Sequence, residues 1–134
     1  QITDLISGRI DFAFAGVPSV LAHIKSDRVR ALAVTGETRS AQLADIPTVA
    51  ESGFPGYRVL NWFGLLLPRN APGAIVDKLN LTLNNALRTP GVLDQFSSQG
   101  VTAQSSTPAQ FGVFVSDELS TWKTVVKAAN IQPE

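Results

Sequence analysis

Apolar residues recur along this sequence with two different periods, and the switches between the periods outline the predicted elements. The apolar residues of segment 2–6 precede Gly8, which predicts a helix closed by a glycine in the left-handed conformation. Segment 10–15 places apolar residues on a spacing of two and predicts a strand. Segment 29–35 is nearly all apolar, as expected of a strand that helices cover on both faces.

A helix is predicted between these two strands. Pro18 suits the first turn of a helix that runs to about Lys25. Strand, helix and strand in this order form a βαβ unit with parallel strands and a right-handed crossover. The sequence therefore predicts an α/β fold.

The second half of the chain follows a helical period almost throughout. Helices are predicted from Pro72, from the Thr89-Pro90 pair and from Thr107-Pro108, where Gln110 completes a capping box. The last helix is long. Its regular apolar face, which includes Trp122, is expected to be buried against a sheet. Earlier in the chain, Thr48 and Glu51 form a second capping-box pattern.

The composition narrows the possible chemistry. The 134 residues are 44% hydrophobic, enough for one sizeable core, and 11 basic residues balance 11 acidic ones. With a net charge of +0 the chain has no excess positive charge to attract a phosphate backbone, so a nucleic-acid partner is not expected. The sequence has no Cys and a single His, and its carboxylates do not cluster at metal-ligand spacing. No metal site, cofactor or catalytic residue is therefore predicted.

Three stretches share a familiar pattern: Ser7 to Asp11, Val29 to Thr35, and Asp45 to Tyr57, where a capping box, a turn and prolines coincide. Trp62 to Leu65 and Trp122 to Pro133 add to it. Together these stretches resemble the Bug family, the receptor subunits of tripartite tricarboxylate transporters. The resemblance covers essentially the whole chain.

The resemblance implies part of a two-lobed periplasmic-binding-protein fold, type II-like, with a long C-terminal helix. Residues 1–58 would be the remainder of one lobe, 59–61 the interlobe crossing, and 62–134 the mostly helical return to the other lobe. It also implies a periplasmic protein of which this chain is the second half. Because such a chain exposes sheet edges and apolar helix faces, we expect it to associate with the missing N-terminal half or with itself.

The best candidate for a ligand site is the segment Ala15, Gly16, Val17, Pro18 and Ser19. A strand end followed by a helix N-terminus offers free backbone N–H groups and the positive end of the helix dipole to an anion. The alternative is a plain strand-to-helix turn. In the family the position of Ala15 is often acidic or polar, so alanine here predicts a carboxylate ligand without an amine.

Trp62 is the second candidate. Its ring can line the ligand cleft and offer its N–H to a ligand oxygen, or it can pack between the lobes, and the sequence leaves both open. His23 lies on the same helical face as Ser19, where a surface histidine is the simpler account. Ser19 is not predicted to be a nucleophile, since no nucleophile-elbow motif surrounds it.

Three functions are compatible with these features. The first is a solute-binding receptor that delivers a small carboxylate to the membrane subunits of a transporter. The second is the effector-binding domain of a bacterial transcription regulator, which a preceding helix-turn-helix would indicate. The third, an α/β enzyme, is disfavoured by the absence of Cys and by the single His.

Overall fold

The computed structural model describes residues 1–132, and the regular secondary structure of these residues is almost entirely helical. The α-helices lie where the sequence predicts them: α1 Ile2–Ile6, α2 Val17–Lys25, α3 Gly73–Ala86, α4 Pro90–Ser98 and α5 Pro108–Ala128. A short 3-10 helix, Ala41–Leu43, was not predicted. The helix α2 begins one residue before the predicted Pro18. Pro133 and Glu134, which end the family-like segment and the predicted second lobe, lie outside the described residues.

Several helices end in the same way, with a residue at positive φ just after the last turn. These residues are Gly8 after α1 (φ +71°), Asp27 after α2 (φ +54°), Gly100 after α4 (φ +74°) and Asn130 after α5 (φ +51°). At α1 and α4 the glycine and the residue after it donate their N–H groups back to the final turn. Glycine accepts this conformation without steric cost, as the sequence predicts for Gly8.

The two predicted strands do not form among the described residues. Neither 10–15 nor 29–35 forms a strand, and within residues 1–132 the β-pairing consists of one isolated parallel bridge between Val34 and Thr48. Val34 donates its N–H to Pro47 and accepts from Val49, both at 2.9 Å. A strand exists only when another segment completes its hydrogen-bond ladder, and periodicity does not reveal that partner. The predicted βαβ ladder is therefore absent from the described residues.

The bridge is reinforced by a reciprocal capping box that starts a turn rather than a helix. Thr48, 2% exposed, donates its N–H to Glu51 Oε2 at 2.7 Å, and Glu51 donates its N–H to Thr48 Oγ1 at 3.0 Å. Arg39 Nε donates to both carboxylate oxygens of Glu51, at 3.2 and 3.0 Å. Hydrogen bonding from Arg39, and then from the Thr48 backbone, lowers the pKa of Glu51 from its usual value of 4.5.

Few apolar side chains are buried. Leu21 of α2 is 7% exposed, whereas Phe12, Phe14 and Leu32 are 72%, 67% and 67% exposed. The prediction that Trp122 is buried is wrong, because its side chain is 43% exposed and its Nε1 donates to Glu118 Oε2 at 3.4 Å. No neighbouring sheet covers this part of α5 within residues 1–132. Association with further polypeptide or with a second copy remains a prediction that this exposure supports.

The chain divides into two compact units. Of the described residues, the first unit comprises 1–66 and 89–103, and the second comprises 67–88 and 104–132. In the second unit, Asn80 and Asn84 of α3 donate their side-chain amides to the Ser106 carbonyl at 2.9 and 3.0 Å. The predicted boundary at 59–61 lies a few residues before the end of the first segment, and 89–103 groups with the first unit. Whether these units are lobes of a larger receptor remains a prediction.

Candidate functional site

The candidate site lies at the start of α2, in the first unit. Gly16 is the N-cap residue in an extended conformation, with φ −65° and ψ +137°, and Pro18 occupies the first turn. Leu21, one turn further on, is buried and anchors the helix. Because glycine has no side chain to accept from the first turn, the N-terminus of α2 has no side-chain cap.

Three consecutive backbone donors are left open at this helix start. In the described part of the chain, the N–H groups of segment 10–17 donate to no protein acceptor, and those of Ala15, Gly16 and Val17 lie at the helix start. Ser19 differs, since both its N–H and its Oγ donate to the Gly16 carbonyl, at 3.0 and 2.7 Å. The segment therefore offers main-chain donors to a ligand, while the Ser19 hydroxyl proton is used locally.

A second polar group reaches this site from a distant part of the sequence. The Asn61 amide nitrogen lies beside Gly16, 3.8 Å from where a Cβ on that residue would be. Within residues 1–132 the Asn61 side chain has no hydrogen-bonding partner in the protein. Trp62, the predicted residue, follows directly and is 36% exposed. Sequence reasoning missed Asn61, because no local signal announces a contact between segments so far apart in the chain.

A hollow lies at the opposite end of α2. It measures about 400 Å³ and is lined by Ile24, by segment 27–31 and by Ile46. Arg28 and Arg30 supply positive charge there. The C-terminal end of a helix dipole disfavours anions, so only the arginines would attract a carboxylate to this hollow. The two ends of α2 are thus alternative locations for a carboxylate, and substitutions at each end can distinguish between them.

The chemistry available at the α2 N-terminus is anion binding. Residues 15–19 carry no ionisable side chain, and Asn61 adds a neutral amide. Backbone N–H groups and the positive end of the helix dipole stabilise a carboxylate by charge-assisted hydrogen bonds. In the described residues, no group of three or more His, Asp or Glu residues is placed to hold a metal ion. No helix among them is long and apolar enough to span a bilayer.

The comparison with known families matches residues 1–131 to the tripartite tricarboxylate transporter family receptor. The protein BugT of Bordetella pertussis is 35% identical over 126 residues, which are 94% of this chain and 39% of BugT. A UPF0065 protein of Pseudomonas knackmussii, from the clcB-clcD intergenic region, is 36% identical over 124 residues, covering 92% of this chain and 73% of the relative. The chain thus spans about two fifths of the length of BugT.

Solved structures agree with the sequence relatives. Rpa4515 of R. palustris with adipate superposes with a TM-score of 0.85 and 31% identity, covering 99% of this chain and 44% of that one. The periplasmic binding protein BugD superposes with a TM-score of 0.82 and 28% identity, covering 99% and 45%. These comparisons confirm the family resemblance, and the structural neighbours have the expected periplasmic-binding-protein fold. The family is one of receptors, in agreement with the prediction that the chain is not an enzyme.

Proposed function

The chain belongs to the tripartite tricarboxylate transporter family of receptors, and on this premise we propose that it forms part of a periplasmic receptor for a small carboxylate. The proposed ligand site is the N-terminus of α2. There, one carboxylate group accepts hydrogen bonds from the N–H groups of Ala15, Gly16 and Val17. Asn61 contributes a side-chain amide, and Trp62 is proposed to line the same site.

The open donors at α2 are the observation that carries this proposal. A helix N-terminus with unpaired N–H groups is unfavourable unless water or a ligand supplies acceptors. A carboxylate supplies two oxygens and a negative charge that the helix dipole favours. The absence of a cation among residues 15–19 and 61 means that hydrogen-bond geometry, rather than ion pairing, would set the affinity.

The proposed ligand class is a dicarboxylate without an amino group. Ala15 has no polar side chain, and residues 15–19 and 61 include no carboxylate that could pair with an ammonium group. The related R. palustris protein was solved with adipate, a dicarboxylate, which supports the same class. An amino acid would therefore bring an unpaired positive charge to these residues.

The proposed mechanism is closure of two lobes around the ligand. The ligand shifts an existing equilibrium between open and closed forms by its higher affinity for the closed form. Membrane subunits of the transporter would then recognise the closed receptor. The periplasmic location is proposed from the description of BugD as a periplasmic binding protein.

A thermal-shift screen of the whole receptor that carries this chain tests the proposal. The panel contains mono-, di- and tricarboxylates and amino acids, because a ligand that binds the native state raises the melting temperature. We expect the largest shift with a dicarboxylate such as adipate. A folded receptor that shifts with no carboxylate would contradict the proposed function. Tight binding of an amino acid that weakens when its amine is removed would contradict the ligand class.

Substitutions then locate the ligand. Asn61→Asp keeps the shape of the side chain but places a carboxylate beside the site, and we expect about tenfold weaker adipate binding. Arg28→Ala is the control for the hollow at the other end of α2, and it should leave adipate affinity unchanged. If Arg28→Ala weakened adipate binding and Asn61→Asp did not, the ligand would bind in that hollow instead.

A further inference from the structure

The end of α4 lies in direct contact with the first residue of α2. A Cβ atom built on Gly100 would be 2.5 Å from Cγ1 and 3.2 Å from Cβ of Val17. Separations of 2.5 Å do not occur between a real Cβ and another carbon, so this position requires glycine for space as well as for its φ of +74°. The backbone of Gly100 therefore packs closely against a residue whose N–H is one of the three open donors.

The position of Gly100 is itself held by several hydrogen bonds. Gly100 donates its N–H to Ser97 at 2.9 Å and Val101 donates to Phe96 at 2.9 Å, the pair of bonds that typically ends a helix at a glycine. Gln42 of the 3-10 helix donates its side-chain amide to the Ser97 carbonyl at 2.8 Å. The end of α4 is thus fixed to a neighbouring segment of the same unit, and Gly100 has little freedom to move away from Val17.

We propose that Gly100 is a positioning residue that fixes the first turn of α2, and with it the donors of the carboxylate site, through its contact with Val17. The inference rests on the proposed function of that site. The Cβ of Val17, 3.2 Å from a Cβ built on Gly100, moves only with its own backbone, so rotation of the Val17 side chain alone does not remove the contact. A side chain added at Gly100 must therefore displace the Val17 backbone and its N–H. A fixed first turn lowers the entropy cost of ligand binding.

The chain offers a closely matched control for a substitution at Gly100. Gly8 has a φ of +71° and ends α1 with the same pair of hydrogen bonds, yet a Cβ built there would meet nothing within 4 Å. Gly100→Ala and Gly8→Ala therefore introduce the same backbone strain, and only the first introduces a collision with Val17. The difference between the two variants isolates the contact.

The experiment measures two quantities on the wild type, Gly100→Ala, Gly8→Ala, Val17→Ala and the double variant Gly100→Ala/Val17→Ala of the whole receptor. Amide hydrogen exchange of Ser19 reports on the first turn of α2 without ligand, and calorimetry gives the affinity for adipate. We expect Gly100→Ala to lower both Ser19 protection and adipate affinity by about tenfold. Gly8→Ala should change neither Ser19 protection nor adipate affinity. In the double variant, Val17→Ala should restore most of what Gly100→Ala loses, because it removes the colliding methyl group.

Each outcome separates this inference from the proposed function. Equal effects of Gly100→Ala and Gly8→Ala, or a loss that Val17→Ala does not restore, would overturn the positioning role. If Gly100→Ala does not fold, the single variant Val17→Ala tests the inference. It loosens the contact and should therefore lower Ser19 protection. Unchanged Ser19 protection in this variant would overturn the inference. A wild type that binds no carboxylate refutes the proposed function instead. Wild-type binding that is insensitive to Gly100→Ala refutes the inference alone.

Discussion

The helices α2 and α5 both carry a proline in the first turn, but their N-termini differ. At α5, Thr107 Oγ1 accepts from the Gln110 N–H at 3.2 Å, and Gln110 Oε1 accepts from the Thr107 N–H at 2.9 Å. At α2 the N-cap is Gly16, and the neighbouring N–H groups have no acceptor in the described residues. A capped N-terminus stabilises its own helix, whereas an open one is available to an anion.

The turn at Thr48 and the start of α5 share a reciprocal pattern of hydrogen bonds. Both use a threonine and a residue three positions later to satisfy two backbone N–H groups reciprocally. The acceptor is a neutral amide in α5 and a carboxylate paired with Arg39 in the turn. Substitutions at these three places separate ligand binding, helix stability and pH dependence.

The largest effect is expected when α2 is given the cap that it lacks. Gly16→Asp adds a side-chain acceptor for the first-turn N–H groups and a negative charge, so adipate binding should weaken by about a hundredfold. The extended conformation of Gly16 accepts a side chain, and a Cβ there meets other atoms only at 3.8 Å. Calorimetry measures the affinity, and the melting temperature should not fall, because the new side chain caps α2.

The controls for this substitution separate charge from position. Gly73→Asp makes the same change in open space at the start of α3 and should not affect adipate affinity. Gly16→Ala should weaken binding less than Gly16→Asp, since it hinders close approach without supplying an acceptor. Affinity that survives Gly16→Asp would show that the open donors of α2 do not hold the ligand.

A smaller effect is expected when the cap of α5 is removed. Thr107→Ala deletes the side-chain acceptor and should lower the free energy of unfolding by about 1 kcal/mol. Urea denaturation measures this change, and adipate affinity should remain that of the wild type because Thr107 is not part of the proposed site. Thr107→Ser keeps the hydroxyl and should retain most of the stability. An equal loss with serine would exclude the capping bond as the cause.

The smallest effect is expected at Glu51, because its ion pair with Arg39 is exposed and screened by solvent. Glu51→Gln replaces the carboxylate acceptor of the turn with a neutral amide oxygen, like that of Gln110 in α5, and removes the negative charge. The folded state lowers the pKa of Glu51 below 4.5, so its contribution to stability is present above the unfolded-state pKa and is lost as pH falls through the folded-state pKa.

Melting temperatures across pH measure this contribution. The variant should melt slightly below the wild type at neutral pH, and the difference should disappear in acid once Glu51 is protonated in the folded state. Added salt should narrow the difference at neutral pH. A difference that persists unchanged into acid would attribute the effect to packing rather than to charge.

The sequence predicted the helices and their ends because those signals are local. The hydrogen bonds of a helix, its caps and its terminating glycines join residues three to five positions apart, so the pattern around Thr107 or Gly8 contains most of the information. The same holds for the Thr48 and Glu51 pair, although it starts a turn instead of a helix. The residues around Gly16 were predicted as a helix start with open donors for this reason.

Tertiary structure alone decided the remaining features. The parallel bridge between Val34 and Thr48, the approach of Asn61 to Gly16 and the contact of Gly100 with Val17 all join segments far apart in the chain. A strand or a packed contact needs a partner whose identity depends on how the whole chain folds, and hydrophobic period does not specify it. The sequence by itself therefore determined where the helix of the proposed carboxylate site starts. Only the tertiary structure determined which residues surround that start and hold it in place.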